Sequence, residues 1–299
     1  MTDIHCEQNM YPLSVVIATL GGDILVGTIE LLNQGKTVPA EILICIPEKE
    51  ASRVETLRQQ NVRIIRTPCR GQVAQRAYGL RCVTQSQVLQ LDDDIVLRPD
   101  DLRLLVQTLN HLGHGHALAP QYRHLSTGSY ITEYQQGTLG WMQSLYAFLI
   151  CGAPWGIRRM GVITPAGIGY GVDQKYCGNE LFETQWLSGG CVICHRDDLI
   201  TEDYYPFTGK AYTEDLVHSV LWRKQGVRLW MLPSATCMTS VASMPFTCSA
   251  MKDIVRAHGY VVQLIGGNYW RLRLWHLIYV LKQTGLSAVR MASFRKNTE

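Results

Sequence analysis

The feature that most restricts how this chain folds is an alternation of two periods across its first 112 residues. Short apolar runs rich in β-branched residues lie at 13–18 (LSVVIA), 41–46 (EILICI), 62–66 (VRIIR) and 87–91 (QVLQL). Continuous apolar runs of this length describe strands covered on both faces. Between them, residues 23–32, 48–60 and 71–83 have helical spacing, and a fourth helical segment, DDLRLLVQTLNHL, follows Pro99. Pro99 with Asp100 and Asp101 suits a helix N-terminus, where a missing N–H costs nothing and acid meets the positive end of the dipole. Strand and helix in turn predict an α/β fold, a mostly parallel central sheet flanked by helices. The middle, 124–185, is rich in Gly, Tyr and polar residues, and 158–180 reads as a long irregular loop. After 240 the pattern becomes helical and basic-aromatic. The expected division is one α/β domain over 10–238 and a C-terminal helical extension over 239–299.

Bulk properties narrow the function. The chain has 299 residues, 46% hydrophobic and 18% charged, enough for a sizeable core. A net charge of +3 does not suit a nucleic-acid binder. MTDIHCEQNMYPLSVVIATL lacks a basic segment followed by an apolar one, so no secretory signal is expected. No apolar stretch reaches the roughly 18 residues of a spanning helix. A cytoplasmic protein with free thiols is the expectation.

Open parallel sheets bind ligands at the carboxyl ends of their strands. The residues there are Thr19-Leu-Gly-Gly, Pro47-Glu48 and Asp92-Asp93-Asp94. No G-x-G-x-x-G follows the first strand, which weighs against a dinucleotide. The three aspartates are the strongest signal. On an extended chain Asp92 and Asp94 point the same way, roughly 6.5–7 Å apart. Two anions so placed are unfavourable unless a cation sits between them. A hard divalent ion, Mg²⁺ or Mn²⁺, accepts such oxygens and typically brings substrate phosphates with it.

GGCVICHRDDL at 189–199 spells C-x-x-C-H, the pattern of covalent haem attachment. CVIC is equally a short apolar strand entering a turn at HRDD, and no second cysteine pair at zinc-site spacing is present. Two core cysteines are the simpler reading.

The motifs, taken in order, resemble the family-2 inverting glycosyltransferases with the GT-A fold, a Rossmann-like architecture. SVVIAT, with Thr19, is similar to the first-strand motif that holds the nucleotide. RGQVAQRAYGL at 70–80 is similar to the helix reading G-x-x-x-A-R-N-x-G, with Arg76 on the family's arginine. LDDDI matches the D-x-D, WLSGG at 186–190 the W-x-x-G-G stretch of the sugar site, and TEDLVHSVLWRKQG the E-D helix with its R-x-x-G. The resemblance covers most of 13–235. It implies a nucleotide-sugar donor, a hydroxyl of a glycan or lipid-linked acceptor, a role in bacterial surface-polysaccharide synthesis, and Mn²⁺ or Mg²⁺ held by Asp92 and Asp94. It implies Asp215 as general base and Glu214 as an orienting group. Arg76 becomes a helper at the departing diphosphate, and Trp186, Gly189 and Gly190 the lining of the sugar pocket. Glu48 is a weak candidate for the nucleotide, because CIPEKE lacks the acidic pair and Ser of many relatives. SATCMTS at 234–240 lacks their metal-site histidine. His218, one turn beyond Glu214, reads as structural. A nucleotidyltransferase and a non-catalytic nucleotide-sugar-binding protein are the alternatives. The first wants a Lys-rich first loop, absent here, and the second has no need of both the D-x-D and Glu-Asp.

NYWRLRLWHLIYVLK at 268–282 mixes Trp270, Trp275 and Tyr279 with Arg271, Arg273 and Lys282. Two readings stand equally: a peripheral helix at the inner face of a membrane beside anionic lipid, or a core helix snorkelling its cations.

Overall fold

The computed structural model describes residues 10–134, 139–240 and 247–296. In chain order the elements are β1 (Tyr11–Ala18), α1 (Ile24–Leu32), β2 (Pro39–Pro47), β3 (Val62–Thr67), α2 (Gln72–Leu80), β4 (Gln87–Asp92), β5 (Val96–Leu97), α3 (Pro99–Leu112) and β6 (His116–His124). There follow α4 (Trp141–Tyr146), which runs into a π-turn at Ala147–Cys151, then β7 (Val162–Ile163), β8 (Gly169–Tyr170), α5 (Gln174–Cys177), β9 (Phe182–Thr184), β10 (Cys191–His195), α6 (Glu214–Lys224), β11 (Arg228–Thr239), α7 (Cys248–Ile265) and α8 (Tyr269–Lys296). The chain forms two compact units: residues 1–134 with 171–241, and residues 135–170 with 242–299.

In the first unit the sheet order is β3-β2-β1-β4-β10-β6-β11-β5, with β9 also on β11. Pairing is parallel across β3, β2, β1 and β4, as the alternation predicts. It then changes: β10 enters antiparallel between β4 and β6, while β11 runs parallel to β6. β10 returns after an excursion of more than sixty residues, so no short crossover dictates its direction.

The apolar runs are buried on both faces, as expected for such strands. On one side Val15, Ile17, Ile42, Ile44, Leu89 and Leu91 pack against Leu25 and Ile29 of α1 and Leu102, Leu105 and Leu109 of α3. On the other, Val16, Leu43, Cys45 and Val88 meet Leu80 of α2, and Val192 and Cys194 join a cluster with Trp222 of α6. Cys191 belongs to the first side and Cys194 to the second. Two thiols on opposite faces of a strand cannot hold one haem, and burial pushes the Cys194 thiol well above its ordinary value. The C-x-x-C-H spelling is a core strand.

One predicted helix differs. Residues 48–60 form only a 3₁₀ segment, Glu48–Val54, followed by turns. Ala51 and Val54 are buried and Leu57 packs against the same core, a spacing of three that fits the 3₁₀ period better than 3.6. In the second unit, Ile150, Cys151, Ala153 and Ala166 form a small core with Leu274 and Trp275 of α8.

Gly79 sets how closely α2 approaches the sheet. A Cβ there meets Cys45 Sγ at 2.2 Å and Val16 Cγ1 at 2.7 Å. G79A is expected to lower stability by about 1–3 kcal/mol through overpacking, read as a shifted urea midpoint with an unchanged m-value.

Candidate active site

The carboxyl end of β4 is the centre of the site. Asp92 closes the strand, its N–H donating to Gly190 O at 2.8 Å. The extended geometry expected through Asp94 stops there, because Asp93 and Asp94 lie in a turn. Asp93 is held on both sides: its carboxylate accepts from Thr19 Oγ1 at 2.5 Å, and its carbonyl from Thr28 Oγ1 at 3.0 Å. Asp94 Oδ2 accepts a long hydrogen bond of 3.4 Å from Thr239 Oγ1. Burial, then the charges of Asp92 and Asp93, push the Asp94 carboxyl above the usual carboxylate range.

Behind the turn stands a buried ion triad. Arg76, on α2, is 2% exposed. Its Nη2 pairs with Asp92 Oδ1, and its Nη1 donates to Glu214 Oε1 at 2.8 Å. Burial favours loss of its proton, but Glu214 and then Asp92 outweigh that and hold the guanidinium above its ordinary value. Tyr204 donates to Glu214 Oε2 at 3.0 Å and Gln72 Nε2 to Asp92 Oδ1 at 2.9 Å. The two glycines of WLSGG make room for this triad. A Cβ on Gly189 meets Glu214 Oε1 at 2.6 Å, and one on Gly190 meets Asp92 Oδ2 at 3.0 Å and the Tyr122 hydroxyl at 3.2 Å.

Glu214 and Asp215 open α6, where the helix dipole favours acid. The residue before them, Thr213, has φ 56° and ψ 20°, the left-handed region. A β-branched residue there costs on the order of 1–3 kcal/mol. Its hydroxyl is buried without a partner. Asp215 Oδ1 accepts from the N–H of Leu216 at 2.9 Å. Burial, then the Glu214 charge, push its carboxyl up to about 7. Asp215 O accepts from Ser219 Oγ, which in turn accepts from Leu187 N, tying α6 to the WLSGG loop. His218 stacks between Tyr204 and Trp222, at 5.0 and 3.8 Å. Burial, then Arg76, bring it down to about 3, so it is a neutral packing residue.

Two cavities flank the acidic turn. A larger one, about 830 Å³, is lined by Thr19, Arg53, Arg70, Gln75 and Asp93, and a smaller one, about 340 Å³, by Tyr122, Trp186, Ser188, Gly190 and Thr239. Asp92 and Asp94 line both. The fold thus gathers Thr19, Asp92, Asp94, Trp186 and Gly190 around open space, with Gly189 and Glu214 just behind. It does not bring Glu48 there: that side chain is exposed and pairs with Arg66 at 3.1 Å. Arg76 faces its two carboxylates and lines neither cavity. Asp215 also lies outside both linings, beside Glu214. Arg53 and Tyr122 escaped the sequence reading because each comes from a segment without a motif of its own, and Arg70 because it stands just ahead of the Gly with which its motif begins. Arg70 had the one usable signal, its place directly before Gly71, the residue that leads into α2.

The residues present fit a small hard cation in a limited way. Among the described residues no three His, Cys, Asp or Glu side chains come together as a metal site. Asp92 keeps Oδ2 clear of Arg76, and Asp94 accepts the long bond from Thr239 and one from its own N–H. Two carboxylates suit an ion that takes its other oxygens from substrate phosphate and water. Burial and then the neighbouring charges raise Asp94, and the charge crowding is the kind a cation relieves.

Residues 14–159 match the family model described as Glycosyl transferase family 2. The fold is similar to that of GalNAc-T7 solved with UDP, GalNAc and Mn²⁺, with TM-score 0.57, 14% identity, and coverage of 83% of this chain and 48% of that one. It is also similar to S. aureus TarS 1-349 in complex with UDP-GlcNAc, with TM-score 0.54, 13% identity, and coverage of 85% of this chain and 66% of that one. The chain therefore spans about half the length of the first and about two thirds of the second. No curated protein matches it in sequence. The match to the family 2 glycosyltransferase model thus covers just under half of the chain, and the architecture around it is the GT-A fold.

Proposed function

We propose that the protein is an inverting glycosyltransferase that moves a sugar from a nucleotide-sugar donor to a hydroxyl of a glycan or lipid-linked saccharide, in polysaccharide synthesis. The observation that carries this reading is the acidic turn shared by two unlike cavities. The larger cavity has two guanidinium groups, and Arg70 has no ion-pair partner among the described residues. It suits a nucleoside diphosphate. The smaller one offers Trp186, Tyr122 and several hydroxyls, an aromatic and polar wall for a pyranose. A donor laid across Asp92 and Asp94 has its diphosphate at the turn. That UDP and Mn²⁺ accompany GalNAc-T7, and UDP-GlcNAc accompanies TarS, makes uridine diphosphate sugars with Mn²⁺ the first donors to test.

In this reading Asp92 and Asp94 would hold Mn²⁺ or Mg²⁺, which would supply positive charge for the departing diphosphate. Arg53 and Arg70 add to it from the protein. Asp215 takes the proton of the acceptor hydroxyl, whose oxygen bonds to the anomeric carbon from the face opposite the leaving diphosphate. The bond from that carbon to the phosphate oxygen breaks, and the configuration inverts. A carboxyl with a pKa near the working pH suits such a base, and in ligand-free sites catalytic hydrogen bonds form only with substrate. Glu214 and Arg76 are positioning residues: they fix the start of α6 against the end of β4.

Two outcomes test this. D215N is expected to lower kcat by about 10²–10⁴-fold while donor binding, followed by thermal shift with UDP-sugars and Mn²⁺, is retained. Unchanged transfer would remove the base assignment. In the wild type kcat/KM should rise tenfold per pH unit up to about 7, then level.

Stability should move the other way. The folded-state pKa lies above the ordinary 3.8, so folding takes up a proton across roughly pH 4–7 and this contribution fades as pH rises through that window. D215N removes it, and its Tm should exceed the wild type's at about pH 8 and approach it at about pH 4.

R76A leaves two carboxylates without their cation, and urea unfolding should show a loss of about 3–5 kcal/mol. R76K should fall between the two, since one ammonium replaces a two-armed fork.

A further inference from the structure

The second compact unit differs sharply from the first in charge and surface. Residues 135–170 with 242–299 carry ten Lys and Arg but only two acids, Asp253 and Glu299, a net +8. The chain's total is +3, so the remainder is −5. This unit is under a third of the chain, yet it holds twelve of the nineteen exposed large hydrophobic residues among those described.

These residues are not scattered. Trp141, Met142, Leu145, Phe148, Trp155 and Ile157 come from α4, the π-turn and the loop after it, with Trp141 68% and Trp155 58% exposed. On α8, Trp270, Leu277 and Leu281 recur at helical spacing on the exposed side, while Leu272 is buried. The two segments are joined. Arg271 Nη1 donates to Phe148 O at 2.7 Å and Leu149 O at 2.6 Å, and its guanidinium lies 4.8 Å from the Trp270 ring centroid. Arg159 and Arg273 are exposed in the same segments.

We infer that this face docks on an anionic lipid bilayer. Three features favour that occupant over a protein. The cations are almost unopposed by acids, so their field has one sign. The apolar residues are led by Trp, whose ring is at home at headgroup depth. No helix among the described residues is long and apolar enough to cross a membrane, so the segment lies on the surface instead of spanning it. The inference is independent of which sugar is transferred, and its test involves no turnover.

The experiment is flotation of the full chain with vesicles of phosphatidylcholine alone and with about 30% phosphatidylglycerol added. Binding is expected only to the anionic vesicles and should weaken at high salt. W141S/W155S and, separately, R159E/R273E should each lower that binding at least about tenfold. Both change exposed side chains, and an unchanged Tm certifies folding. Three results overturn the proposal: no flotation with either vesicle, equal flotation with both, or double variants that bind like the wild type. A concentration-dependent dimer that W141S/W155S dissociates also overturns it, because a second copy then covers the face.

Discussion

Everything at the candidate site depends on one guanidinium held between two carboxylates. Arg76 reaches Asp92 with one nitrogen and Glu214 with the other, and so ties α2, the end of β4 and the start of α6 into one rigid body. Such a triad is a poor source of stability, since desolvating three ions offsets most of their attraction. What it supplies is position. Asp92 and Glu214 belong to parts of the chain more than a hundred residues apart, and only a short, two-armed cation fixes both with so little freedom. The glycines of WLSGG follow from the same demand. The tightest contact a Cβ on Gly189 would make is with Glu214, and on Gly190 with Asp92. They are small because the triad is close, whatever ligand then occupies the space in front.

How far the sequence anticipates this arrangement varies by element, for physical reasons. Strands buried on both faces leave an unmistakable trace, so β1 to β4 and the helices α1 to α3 are readable within a few residues. A strand's direction leaves no trace, and β10 looks the same whether it runs parallel or antiparallel. The segment 48–60 is misleading because apolar positions three apart satisfy a 3₁₀ turn as well as one face of an α-helix. Among the residues on motifs, Thr19, Asp92, Asp94 and Trp186 border the two cavities, whereas Arg76 and Asp215 line neither. Arg76 illustrates the limit. Its motif marks it as important, but whether a guanidinium meets a phosphate or two carboxylates depends on side chains 16 and 138 residues away. Arg53 and Arg70 reach the larger cavity from a 3₁₀ turn and a loop, where no periodicity singles out one cation from another.

The adjacent acids Glu214 and Asp215 show how the fold divides labour between two like groups. Glu214 faces inward, with Arg76 on one oxygen and Tyr204 on the other, and both of its oxygens are occupied. Asp215, one residue on, points a different way around the helix and accepts from backbone N–H groups of its own first turn. Buried, and with the Glu214 charge beside it, it resists losing its proton until about pH 7. Separating the affinities of neighbouring groups in this way lets one structure provide a fixed anchor and, in the function proposed, a proton acceptor. The strain at Thr213 belongs to the same device. A left-handed residue just before the helix turns the chain abruptly, and the first two helical side chains then diverge, one into the triad and one away from it. The cost of that backbone, with its unpartnered hydroxyl, is sustainable because the triad and the Ser219–Leu187 link fix the helix start from both sides.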